Sequence, residues 1–149
     1  MTAEDLRDIA ETLMWKACEN LRDEGHLTCV AGIMHGITMT MRGLEGDGEK
    51  RRRTIMRLVR KYGADGIVIV SDCFFTQHTH DSGLSFDQMP LRSEDPRRQE
   101  VVCVFCIPWD EEGLTLLRPY RRIEEDFESG HVQRLNGIQG WAAGLWQRM

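Results

Sequence analysis

Apolar residues recur at three- and four-residue intervals through Leu6, Ile9, Ala10, Leu13, Met14, Ala17, Cys18 and Leu21, the stripe of an amphipathic helix. Thr2 and Asp5 stand at capping-box spacing ahead of it, and Gly25 follows the last turn as a stop. Arg7, Asp8, Glu11, Lys16, Glu19 and Arg22 fall off the stripe and form a solvated face, with Trp15 at its flank. The period then changes, and Ile37, Met39 and Met41 alternate with Thr38 and Thr40, a strand signal. Gly32 and Gly36 interrupt that run, which predicts one bent strand or a short hairpin whose second arm turns its threonines to solvent. The glycines of residues 43–48 mark a loop.

Ile55, Met56, Leu58, Val59 and Tyr62 predict a second helix, beginning near Glu49 and closed by Gly63. Ile67-Val68-Ile69-Val70 is a continuous apolar run that suits a strand buried on both faces. Residues 76–98 have no periodicity, and an unpatterned connection of that length in a compact domain is usually functional or disordered. The site region is therefore expected there. Residues 101–107 and 114–120 predict a β-hairpin, with Gly113 supplying a positive φ and with Cys103 and Phe105 set near Tyr120 and Arg118. Residues 123–128 read as a short acidic helical turn. In the tail, Leu135, Ile138, Trp141, Ala142, Leu145 and Trp146 have approximately helical spacing, weakened by Gly137, Gly140 and Gly144.

The expected architecture is α+β: a mixed or antiparallel sheet of four to five strands with both helices packed on one face. Residues 1–130 form the domain, and residues 131–149 form a tail that docks or dimerises, so a homodimer is expected. That tail needs an apolar surface to order against, and the uncovered face of the sheet supplies one.

Composition narrows the function. The 149 residues fit one domain, and a net charge of −5 argues against bulk affinity for nucleic acid or anionic membrane. An acidic N-terminus and the lack of a long apolar run place the chain in the cytoplasm with no membrane span. Five cysteines scattered through apolar segments read as reduced core residues, and Cys103 and Cys106, three apart on a strand, face opposite ways. Against this acidic background the second helix is conspicuous. Lys50, Arg51, Arg52, Arg53, Arg57, Arg60 and Lys61 stand against the single Glu49, either as a solvated face neutralised by the acidic residues 124–128 or as a docking stripe.

Further candidates lie around the central strands. Asp72 at a strand exit and Glu100 at the start of the next are the candidate catalytic carboxylates. Arg97 and Arg118, with Arg98, Arg121 and Arg122, either build an ion-pair network or line an anion pocket opposite Asp72. His78, His80 and Asp81 are suitable ligands for Zn or Fe. With Ser85 and Asp87 behind them their spacing resembles the opening of the JAB-type metalloprotease signature, although the serine follows the second histidine too closely for that family. Ile69-Val70-Ser71-Asp72, followed by Ser93-Glu94-Asp95-Pro96-Arg97-Arg98-Gln99-Glu100 and a strand, resembles a group of small bacterial and phage-borne proteins. That resemblance implies a shared fold and no known activity.

No P-loop, dinucleotide fingerprint or nucleophile elbow is present, and Val102 stands where a nuclease of the PD-(D/E)xK type would place its lysine after Glu100. The expected function is that of a non-enzymatic accessory or adaptor without a cofactor, binding a protein partner through Arg53, Arg57, Arg60, Arg97, Arg118, Trp141 or Trp146. The alternative is a metal-dependent hydrolase using His78, His80 and Asp81, with Asp72 as a further ligand.

Overall fold

The computed structural model describes residues 2–75, 99–109, 111–138 and 140–145. Helix α1 (Ala3–Glu24) opens on the expected capping box: the Thr2 hydroxyl accepts from the Asp5 amide at 3.1 Å, and the Asp5 carboxylate accepts from the Thr2 amide at 3.0 Å. The Thr2 backbone and hydroxyl hydrogen bonds hold the Asp5 carboxyl below its ordinary pKa. Gly25, at φ 79°, closes the helix. Strands β1 (Val30–His35) and β2 (Thr38–Gly43) form the short hairpin, turning at Gly36 with φ 62°. Helix α2 (Gly48–Tyr62) is capped by Asp47, whose side chain accepts from the Lys50 amide, and stops at Gly63. Strands β3 (Gly66–Phe75), β4 (Gln99–Pro108), β5 (Leu114–Ile123), β6 (Asp126–Ser129) and β7 (Gln133–Asn136) follow, then a 3-10 turn, Gly140–Ala142.

The seven described strands form one sheet in the order β2-β1-β3-β4-β5-β6, with β7 also paired to β5 and every pairing antiparallel. The sheet is thus wider than the four to five strands expected. The extra strands come from segments whose helical spacing conceals them. Residues 123–128 are no helical turn: they close the β5–β6 hairpin, with Glu124 at φ 56° in the bend. The start of the tail is extended too: the backbone of β7, Gln133–Asn136, completes hydrogen bonds along β5 that a glycine-weakened helix would forgo.

Both helices are expected on one face, and the structure places them on opposite faces. Leu6, Ala10, Met14, Ala17, Cys18 and Leu21 of α1 pack on Met34, Val68, Val70, Val102, Val104, Cys106 and Leu116. Ile55, Leu58 and Val59 of α2 pack on Ala31, Ile33, Ile67, Ile69, Val101, Cys103, Phe105 and Ile107. The reason lies in β3 and β4, which are apolar at odd and even positions alike, so that each face needs its own cover. Ala142 and Leu145 of the tail complete the α2 side, 0% and 2% exposed. Among the described residues, no helix is long and apolar enough to cross a membrane.

The β4–β5 register pairs Cys103 with Leu117 and Phe105 with Thr115, three residues from the register expected: the ladder closes at Cys106–Leu114, and Ile107 and Pro108 pair with Ile67 and Gly66 of β3. Gly113 does not take a positive φ. It is needed for a close approach: a Cβ there would lie 2.4 Å from Ile138 Cδ1 and 3.0 Å from the Cys106 carbonyl oxygen. Gly113→Ala should therefore cost about 1–3 kcal/mol, read as a lower urea midpoint. An unchanged midpoint would show that Ile138 moves aside freely.

The cysteines depart from expectation in one pair. Cys103 and Cys106 do face opposite sides of the sheet, and Cys18, Cys29 and Cys106 are free and buried. Cys73 and Cys103, however, are joined as a disulfide. Ser71 opposes Cys103 and Cys73 opposes Val101, so the two cysteines are diagonal neighbours on one face, with Cα atoms 6.8 Å apart. Their separation in sequence hides a contact that only the β3–β4 register creates.

Candidate functional site

The basic residues of α2 divide into two sets by the turn of the helix. Arg53, Arg57 and Arg60, at intervals of four and three, share its outer face and are exposed, as are Lys50 and Lys61. Among the described residues none of these three arginines has an ion-pair partner, whereas Arg7, Arg22, Arg121 and Arg134 are paired with Glu111, Asp23, Glu128 and Glu11. The acidic run does not neutralise α2. Glu124, Glu125 and Asp126 are exposed at the β5–β6 turn, and Glu128 pairs with Arg121 at 2.7 Å.

Arg51 and Arg52 belong to the inner set. Arg52 is only 8% exposed, and its Nη1 donates to the carbonyls of Trp141 at 2.5 Å and Ala143 at 2.9 Å, tying the tail to α2. The Arg51 guanidinium lies 5.5 Å from the centre of the Trp141 ring, a cation–π distance. Trp141 meets Phe105 edge-to-face at 6.0 Å and approaches so closely that a Cβ on Gly48 would lie 2.9 Å from its own. Charge alone groups Arg52 with the solvated side. Its spacing of three and seven from Ile55 and Val59 places it on the buried stripe, and that signal is present in the sequence.

At the other end of the sheet, Asp72 of β3 and Glu100 of β4 lie on the α1 side with Arg118 and Tyr120 of β5, brought there by the register Asp72–Val102–Arg118. Both carboxylates are exposed. Burial first, then the charges of Glu100 and Asp72, push the Tyr120 hydroxyl up to about 12. The arginines here serve the fold. Arg118 Nε donates to the Gly130 carbonyl at 3.0 Å, and Arg122 Nη2 donates to the Leu21 carbonyl at 2.6 Å in the last turn of α1. The expected ion-pair network is thus replaced, for these two residues, by bonds to backbone carbonyls.

A groove of about 250 Å³ runs between α1 and the start of β1, lined by the apolar Leu13, Ala17, Leu27, Val30, Met41 and Val70 and by the polar Lys16, Asn20, Glu24, His26 and Thr28. His78, His80, Asp81, Arg97 and Trp146 lie outside the described residues, as does the Ser93–Arg98 half of the motif noted in the sequence. Among the described residues, no group of three or more His, Cys, Asp or Glu is placed to hold a metal ion. Compared with known proteins, the chain matches no family model, no curated protein and no solved structure.

Proposed function

We propose that this protein is a non-enzymatic binding module that docks on an acidic surface of a protein partner through Arg53, Arg57 and Arg60 of α2. One observation carries the reading: in a chain of net charge −5, three exposed guanidinium groups share a helix face with no carboxylate paired to them among the described residues. Planar forks of this kind match carboxylates two oxygens at a time. The helix that bears them is fixed by its buried stripe and by both caps, so little ordering is required on binding. Nucleic acid fits less well, because the overall charge is repulsive and no aromatic residue alternates with the arginines to stack a base.

The test is retention at low ionic strength on immobilised polyglutamate, with heparin and duplex DNA in parallel. The intact protein should be held by polyglutamate, and Arg53→Glu/Arg57→Glu/Arg60→Glu should weaken that binding by on the order of a hundredfold without changing the circular dichroism. Equal retention of the two proteins would sink the proposal, and stronger retention on DNA would redirect it to nucleic acid.

A further inference from the structure

The junction of α2 with the tail concentrates unmet hydrogen-bonding capacity. Five buried side-chain nitrogen or oxygen atoms lack a partner among the described residues. One is Glu19 Oε2 on α1, and the other four are Arg51 Nε, Arg52 Nε, Arg52 Nη2 and Trp141 Nε1. These four are all N–H donors, and Trp141 links their three residues: the Arg51 guanidinium lies over its ring and Arg52 is bonded to its backbone carbonyl. Each buried N–H without an acceptor costs folding free energy, and a charged one costs more. Native interiors seldom retain such groups unless something else satisfies them.

The arrangement within Arg52 is specific. Its Nη1 is committed to the carbonyls of Trp141 and Ala143, which leaves Nε and Nη2 open. Those two nitrogens form one edge of the guanidinium plane, the edge that donates two parallel hydrogen bonds to a pair of oxygens on one carbon or phosphorus. Arg51 adds a second positive charge and a further N–H, and Trp141 adds a neutral donor. The set holds two cationic groups and has no carboxylate paired to it among the described residues.

We infer that Arg51, Arg52 and Trp141 form a binding site for an oxyanion, the phosphoryl or carboxylate group of a small ligand, with the open edge of Arg52 as its floor. This site faces inward and is separate from the outer arginines of α2. A ligand there would also brace the tail, since Arg52 and Trp141 are the residues that fasten it to α2. The bound oxyanion would then stabilise the folded chain by mass action.

The experiment titrates the full chain with sodium phosphate and, separately, with sodium acetate, against sodium chloride at matched ionic strength. Melting temperature and tryptophan fluorescence are the readouts. A saturable rise in melting temperature beyond the chloride control is expected, accompanied by a fluorescence change. Tighter binding of phosphate identifies a phosphoryl ligand, and tighter binding of acetate a carboxylate. Trp141→Phe keeps the ring packing and removes one donor, and should weaken binding by roughly tenfold. Arg51→Gln removes a charge and should weaken it further. Should neither anion give a saturable response beyond chloride, or should both variants bind as tightly as the parent, the assignment is overturned.

Discussion

Truncation after Gly130 is expected to abolish the cooperative thermal transition of this protein. The deletion removes β7 from its pairing with residues 114–117 of β5 and takes Ala142 and Leu145 out of the core. Loss of a buried leucine alone typically costs about 2–5 kcal/mol. It also removes both carbonyl acceptors of Arg52 and uncovers the apolar surface of α2 and the sheet against which Trp141, Ala142 and Leu145 pack, a further loss of about 25 cal/mol for each Å² of apolar surface exposed. A domain of this size has a total stability of about 5–15 kcal/mol, so the sum consumes much or all of it. Circular dichroism during heating is the check. A truncated chain that still melts sharply, within a few degrees of the parent, would show that the tail is peripheral to the fold. Sedimentation of the full-length and truncated chains addresses self-association: the apolar surface that the sequence offers to a second subunit is occupied by the chain's own α2 and tail.

Reduction of the Cys73–Cys103 bond should lower stability by about 3–4 kcal/mol, from the loop-closure entropy of the 30 residues it spans. The bond ties β3 to β4 across the adjacent Ser71–Cys103 and Cys73–Val101 pairs, toward the end of β3 and near the middle of β4. Equilibrium urea unfolding with and without reductant measures the difference. Cys73→Ala should unfold at the midpoint of the reduced parent and show no response to reductant. Coincident curves for the parent in both conditions would mean that the pair is not bonded in solution. Cys103 is buried at 2% exposure, which makes Cys73, only partly buried, the side from which a reductant would approach.

Both helices, the α1 capping box and the glycine stops are legible in the sequence because each is set by local signals: a 3.6-residue stripe, Thr2 with Asp5, and Gly25 and Gly63 at positive φ. The central position of β3 is legible for the same kind of reason, in its unbroken apolar run. The β1–β2 hairpin is one of the two forms that Gly32 and Gly36 allow, and the Asp47 cap of α2 sits unmarked in a glycine-rich loop. What escapes depends on pairing across the chain. β6 and β7 are four-residue strands whose extended form is imposed by β5, and their own spacing offers only a weak and misleading helical period. The expectation that both helices share a face fails although its remedy is in the sequence, since a strand apolar on both faces demands a cover on both. Of the candidate interface, the basic stripe that contains Arg53, Arg57 and Arg60 is readable from charge. Charge does not separate Arg51 and Arg52 from it; for Arg52 the helical spacing from Ile55 and Val59 does. The relation of Asp72 to Tyr120 needs two successive strand registers and is beyond any local pattern.

The burial of β3 and β4 on both faces also partitions the chain by its freedom to vary. Ile67, Val68, Ile69, Val102 and Val104 are wholly enclosed, so a change of shape at any of them disturbs one face or the other. The sheet accordingly has little room to acquire new chemistry across its middle. The outer face of α2 is different: Arg53, Arg57 and Arg60 lie exposed, outside the core, and substitutions at such positions usually shift stability by no more than about 0.5 kcal/mol. On the proposed reading, partner choice could therefore drift in a lineage while the fold stays fixed, because the arginines that would select a partner and the residues that hold the sheet together are different sets.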